Sequence, residues 1–323
     1  MDDTHTYRAV SPGRVNLIGD HTDYTGGHVL PVATDLHTRL DATPAESVTV
    51  RSEAIGEERT FEVDDERADG GWLDYLKGCY AVLRDEGYAP GGFEGEITGT
   101  LPLGSGLSSS ASLELAVMAV LDKADALGIS RERMARLSQR VENDFVGVSC
   151  GIMDQFAVAL GREGHALHLD TDSLEYEAIP VPADAQLVVY HTGVERGLVD
   201  SAYNRRRETV TGALSALGVD ASTELDAADV ERSDALSAHQ RRRLGYVVRE
   251  NDRVLRVKDA LADGDLETVG SILTAAHADI AENYEASCPE LDFVVDRAVE
   301  CGAHGARLTD RKSTRLNSSH YRT

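Results

Sequence analysis

The stretch Pro102-Leu-Gly104-Ser105-Gly106-Leu107-Ser108-Ser109-Ser110-Ala111 constrains the fold of this chain more than any other. It follows an alternating, strand-like run at 91–100 and opens onto a helical pattern from 112 to 126. Glycines let a backbone come close to a ligand and take positive φ. The free N–H groups at a helix start, together with the helix dipole, favour an anion there. Three consecutive serines add hydroxyls. A strand, a glycine–serine turn and a helix therefore make a phosphate cradle. It is not a Walker A loop, because GxxxxGK[ST] is absent, and the third glycine of a dinucleotide fingerprint is missing. Taken alone, the run equally suits a serine-rich helix cap.

Around this loop the chain reads as strands and turns over its first hundred residues, with strands at 38–43 and 47–52 and a helix near 72–86. Met134, Leu137, Val141 and Phe145 recur at helical spacing, which predicts one helix over 131–145. A short helix at 153–160 and a strand at 166–170 follow. Pro180-Val-Pro182 marks the expected boundary between two domains, 1–182 and 183–309. Beyond it come a predicted strand at 186–190, long helices at 199–217, 240–262, 266–283 and 289–301, and a strand at 303–309. Strands and helices do not alternate regularly, so the expected class is α+β in two domains, not a doubly wound parallel sheet.

Two further regions carry chemistry. Residues 11–27 hold Arg14, Asp20, His21 and Asp23 among glycines and strand-like flanks. Carboxylates and imidazole suit sugar hydroxyls, which donate and accept, and an arginine suits charge on a transferred phosphoryl group. Downstream, Glu142 lies on a predicted helix and Asp154 at the start of the next. One carboxylate could hold a hard cation and the other could act as a general base, although two acids at this separation, taken alone, read better as surface carboxylates of an acidic protein.

Together these segments resemble the GHMP small-molecule kinases, and within them the galactokinase branch. The match runs in order over about 7–309: Gly13-Arg14-Val-Asn-Leu-Ile-Gly-Asp20-His21-Thr22-Asp23-Tyr24, the 102–111 loop, Val141-Glu142-Asn143 through Gly151-Ile-Met-Asp154-Gln155, Ser201–Arg207, and Ser287-Cys288-Pro289-Glu290-Leu291-Asp292. The resemblance implies a two-domain α+β fold, its N-terminal domain like domain 2 of ribosomal protein S5 and its C-terminal domain ferredoxin-like. It implies ATP-dependent phosphorylation of the C1 hydroxyl of α-D-galactose, giving galactose 1-phosphate and ADP. Gly104, Ser105, Gly106, Leu107, Ser108, Ser109 and Ser110 would wrap the ATP phosphates, and Ser110 and Glu142 would hold Mg²⁺. Asp154 would be the base, with Arg14 beside it. Asp20, His21, Thr22, Asp23, Gly151 and Tyr203 would bind the sugar. Position 20 departs from the pattern: the branch usually carries glutamate there, contacting the C6 hydroxyl, and aspartate is one methylene shorter. The alternatives are a kinase for N-acetylgalactosamine or galacturonate, or a noncatalytic galactose- and ATP-sensing regulator.

Composition narrows the setting. Acidic residues number 56 against 32 Lys+Arg, a net charge of −24 spread along the chain. That disfavours nucleic acid as a partner and leads to the expectation of a protein adapted to high salt. No run approaches the ~20 apolar residues of a membrane span. Cys79, Cys150, Cys288 and Cys301 form no CxxC pair, so a cytoplasmic, zinc-free protein is expected, and a monomer. Cys150 reads as a packed side chain, and Arg241-Arg242-Arg243 as a solvated helix face. Residues 311–323 hold four basic and no acidic residues. They read as translated sequencing-adapter DNA, so 310–323 is expected to be a non-native tail that replaces a glycine-rich GGGFGG run, leaving the activity of such a chain in question.

Overall fold

The computed structural model describes residues 5–192 and 199–309, the side chains of 199–202 aside. The expected non-native tail, 310–323, lies outside the described residues. The backbone falls into two compact units: one holds the chain up to Arg14 and Ala33–Leu160, the other Val15–Val32 and the chain from Gly161.

In the first unit, β1 (Tyr7–Asn16) pairs with β3 (Pro31–Ala45). Antiparallel β6 (Gly92–Gly99) follows on β3, then parallel β4 (Val48–Ser52), then antiparallel β5 (Glu57–Phe61). In β4 the buried Val48, Val50 and Ser52 alternate with Thr49 and the exposed Arg51, the period-two pattern of a half-buried strand. Helices α1 (Leu73–Asp85), α2 (Ser109–Asp125) and α3 (Arg131–Arg140) share one core with these strands, built around Leu40, Val50, Leu76, Leu83, Phe93, Met118 and Leu137. Helix α2 buries residues on nearly every side, as a helix enclosed by its neighbours must.

The helix expected over 131–145 ends as an α-helix at Arg140 and continues as a wider π-turn, Val141–Val146, which carries Glu142. Gly78 of α1 faces this turn: a Cβ there would lie 2.6 Å from Val141 Cγ1. A short loop leads to α4 (Met153–Leu160), with Asn143 holding its end through Cys150 N–H to Asn143 Oδ1 at 2.8 Å.

In the second unit β7 (His165–Asp170) pairs with β2 (His28–Val29) and with β8 (Tyr176–Pro180), a strand the sequence pattern does not announce. Helices α5 (Val199–Leu217), α6 (Ala227–Arg232), α7 (Ala238–Ala262), α8 (Leu266–Glu282) and α9 (Pro289–Glu300) follow. Val254, Val257, Leu261, Ile272 and Leu273 of α7 and α8 pack on Leu30, Ala166 and Ile179.

Two predicted strands are absent. Residues 186–190 form no ladder, and Leu187, Val188, Val189 and Tyr190 stand exposed. Residues 303–309 form no strand. Apolar, β-branched content does not make a strand without a partner edge, and neither segment has one among the described residues. The expected ferredoxin-like part is therefore represented, among the described residues, by its helices. The arginine run is also less solvated than expected: Arg243 is buried, with Nη1 donating to Thr209 Oγ1 and Nη2 to Glu285 Oε2, both at 3.0 Å.

Residues 303–309 are held by contact instead of pairing. Gly270 of α8 and Gly305 meet backbone to backbone, and a Cβ on either would overlap the other chain segment. Overpacking of this kind costs about 1–3 kcal/mol. Gly270→Ala is expected to lower unfolding free energy by about that amount in urea titrations, while Ala at the neighbouring exposed Ser271 changes it by less than about 0.5 kcal/mol.

Candidate active site

The first unit gathers Arg14, the 102–111 loop, Glu142, Gly151 and Asp154. Arg14 sits near the end of β1 with no solvent exposure. Its Nε and Nη2 both donate to Asp154 Oδ1, at 2.9 and 2.6 Å, and its Nη1 donates to Gly106 O at 2.5 Å. The Arg14 backbone N–H donates to Leu107 O at 3.1 Å. Gly13 makes this approach possible, because a Cβ there would lie 2.5 Å from Leu101 Cδ1 and 2.8 Å from Leu107 O. One guanidinium thus ties β1, the glycine–serine loop and the first turn of α4 together. An arginine in such close contact favours the charged form of a carboxylate.

The loop itself holds three residues in left-handed backbone conformations. Gly104 and Gly106 take φ of +67° and +77°, and Ser108 takes +60°, a left-handed conformation that non-glycine residues seldom adopt. Ser108 is the N-cap of α2 yet makes no side-chain capping bond, so the helix's first N–H groups are not capped by their own residue.

Ser110 Oγ donates to Glu142 Oε1 at 2.9 Å, and Gln155 Nε2 lies 3.3 Å from the same oxygen. A buried carboxylate and an adjacent hydroxyl are hard oxygen donors. They fit a magnesium ion that takes one or two protein oxygens and completes its shell with phosphates and water. Among the described residues no three His, Cys, Asp or Glu side chains group as a metal cage, so the phosphates would have to supply the rest.

The second unit holds Asp20, His21, Thr22, Asp23 and Tyr203. Gly19 (φ +102°) and His21 (φ +71°) turn the chain sharply on both sides of Asp20. Thr22 is wholly buried, its hydroxyl lying 2.7 Å from both Gly19 O and His28 O, so it braces the turn itself. The His21 ring stacks between aromatic neighbours, 4.3 Å from Tyr284 and 5.5 Å from Tyr203 by centroid, and its Nδ1 lies 3.1 Å from Tyr24 Oη. Burial, with Tyr284 and Tyr203 beside it, pushes the Tyr24 phenol well above its ordinary range.

Three residues near these sites carry no sequence signal of their role. Tyr284 belongs to no periodic pattern or motif. Arg307, in the run expected to be a strand, reaches Asp20 and Glu250. Glu114 of α2 looks like one more helical acid, but it is fully buried, with Ser138 Oγ donating to its Oε2. Burial and then the Glu142 carboxylate, with a smaller push from Asp154, raise its pKa well above the usual 4.5, and the Ser138 hydrogen bond only partly opposes this.

A raised folded-state pKa means that Glu114's contribution to stability is complete below about 4.5 and is lost as pH rises toward the folded value. Glu114→Gln, which is neutral throughout, is expected to gain melting temperature relative to the parent as pH climbs from 4 to 8. A constant difference across that range would contradict a buried, proton-holding Glu114.

The chain matches the model of the GHMP kinases N terminal domain over residues 74–162 and that of the galactokinase galactose-binding signature over 2–44. It is 52% identical to a galactokinase of Thermococcus kodakarensis over 302 residues, 94% of this chain and 85% of that one. A Pyrococcus furiosus galactokinase is 50% identical, covering 93% and 84%. The crystal structure of Lactococcus lactis galactokinase complexed with galactose superposes with a TM-score of 0.88 at 35% identity, covering 96% and 84%. Methanococcus jannaschii mevalonate kinase, at 16% identity, a TM-score of 0.62 and 96% and 89% coverage, shares the fold.

Proposed function

This chain belongs to the galactokinases of the GHMP kinase family, and on that premise we propose how its own residues divide the work of moving the γ-phosphoryl of ATP to the C1 hydroxyl of α-D-galactose. The observation that carries the proposal is the buried Arg14–Asp154 pair beside a glycine–serine loop. Asp154 accepts the C1 hydroxyl proton as the oxygen attacks phosphorus. Arg14 holds that carboxylate ionised and oriented, and its guanidinium stabilises charge as the oxygen and the phosphoryl group meet. Gly104, Ser105, Gly106, Leu107, Ser108, Ser109 and Ser110 wrap the phosphates with backbone N–H groups and hydroxyls. Ser110 and Glu142 would hold Mg²⁺, which would offset phosphate charge. Phosphoryl transfer asks for positioning and charge stabilisation more than covalent help, and these residues supply both.

Asp20, His21, Asp23 and Tyr203 grip the sugar, with Gly151 supplying backbone, Thr22 fixing the turn, and Asp20 reading the C6 hydroxyl. The division into functional domains at 1–182 and 183–309 is supported by both family matches lying inside the first. A monomer working in the cytoplasm fits the reaction and the reduced cysteines. No helix among the described residues is long and apolar enough to cross a membrane.

Asp154→Asn is expected to lower kcat by roughly 10²- to 10⁴-fold, the usual worth of a positioned base, while galactose binding by calorimetry stays within a few-fold. Near-parental kcat would remove Asp154 from that role.

We also propose that the net charge of −24 is an adaptation to high salt. Melting temperature should then rise steadily between 0.1 and 2 M KCl, whereas a flat or falling curve would mark an ordinary acidic enzyme.

A further inference from the structure

Arg307 is charged and buried, and it lies outside the motifs that carry the chemistry. Its side chain is only 4% exposed, yet all three of its nitrogens are engaged. Nη2 donates to Asp20 Oδ2 at 2.6 Å, Nη1 to Glu250 Oε1 at 2.8 Å, and Nε to Leu308 O at 3.1 Å. The grip on residues 19–20 is closed from other directions too. Gly19 N–H donates to the same Glu250 Oε1 at 3.1 Å, and the Tyr246 hydroxyl donates to Asp20 O at 3.2 Å.

The position of Arg307 is itself fixed. The Gly270–Gly305 contact brings the chain against α8, Leu308 N–H donates to His277 Nδ1 at 3.2 Å, and Thr309 Oγ1 donates to Asn16 O at 2.7 Å, just ahead of the sugar turn. A core staple would need neither a planar fork nor a carboxylate on the sugar turn as its target. A short acid whose carboxylate must present one oxygen edge in a fixed direction needs both.

We infer that Arg307 is a specificity-determining positioning residue, which aims the Asp20 carboxylate at the hydroxyl it reads on the sugar. The inference rests on the reading that Asp20 contacts the C6 hydroxyl. Aspartate has one methylene fewer with which to find its partner, so its direction matters more than that of a longer acid. A guanidinium across its far oxygen supplies that direction. It also lowers the carboxylate's net charge without removing its ability to accept.

The test compares galactose with 6-deoxygalactose in the parent, Arg307→Lys and Arg307→Gln. Lysine keeps the charge and loses the fork; glutamine loses the charge. The parent should prefer galactose in kcat/KM. In both variants that preference should shrink about tenfold, equivalent to about 1.4 kcal/mol, through a higher KM for galactose with turnover of 6-deoxygalactose little changed. A preference unchanged in folded Arg307→Lys would overturn the inference even if its melting temperature fell, because a purely structural residue would weaken both sugars alike. If neither variant folds, Glu250→Gln, which frees Arg307 from its other side, takes their place: a shrunken preference supports the inference and an unchanged one overturns it. A parent that does not distinguish the two sugars would instead defeat the reading of Asp20. A parent that does, with variants that keep its preference, would defeat only the role of Arg307.

Discussion

An arginine with no exposed surface, donating twice to one carboxylate oxygen, is the interaction on which the first unit's chemistry depends. Removing two charges from water costs several kcal/mol each, and only close geometry with further hydrogen bonds recovers it. Arg14 meets that demand by directing its remaining edge to Gly106 O and its backbone N–H to Leu107 O. The same bonds that make the pair tolerable also set the curvature of the glycine–serine loop and the first turn of α4. Breaking the pair from either side would strand a buried charge, a loss of about 3–5 kcal/mol. The carboxylate proposed as the base is therefore also a folding constraint, and its conservative amide is a better probe than alanine.

Of the carboxyl groups buried in this unit, Asp74 included, Glu114, Glu142 and Asp154 act on one another. Asp154 is answered by Arg14, and Glu142 by the hydroxyl of Ser110 and the amide of Gln155. Glu114 faces the field of both acids, with the Ser138 hydroxyl donating to it, and burial and that field raise its pKa well above the ordinary value. A proton held by Glu114 or a cation beside Glu142 would each relieve the same excess of negative charge.

Much of this was legible in the chain because the relevant signals are local. The helix patterns at 112–126, 153–160 and 199–217 correspond to α2, α4 and α5, and the loop at 102–111 announces a turn before a helix through its glycine spacing. What was not legible depends on partners far away in sequence. The 186–190 run has the composition of a strand and no edge to pair with. The π-turn at Val141–Val146 continues a helical periodicity that hydrophobic spacing cannot tell from an α-helix. Arg307 and Glu114 look like ordinary charged residues until burial and, for Arg307, a contact nearly 300 residues away in sequence give them meaning. Periodicity reports which face is wet; it does not report which charge is answered by which.

The distribution of charge follows the same division. Inside the second unit, Asp20, Arg307, Glu250, Arg253, Asp279 and Arg249 form a line of ion pairs in which acid and base alternate, three of each. That line is neutral, and most of it lies out of solvent. The chain's excess of acid must then lie elsewhere, chiefly on surfaces where like charges repel through water. At molar salt the screening length falls to about 3 Å, short enough to quiet surface repulsion but with little purchase on pairs already in contact and dehydrated. Salt should therefore act on how tightly the whole chain holds together while leaving the alignment of Asp20 and Asp154 nearly untouched.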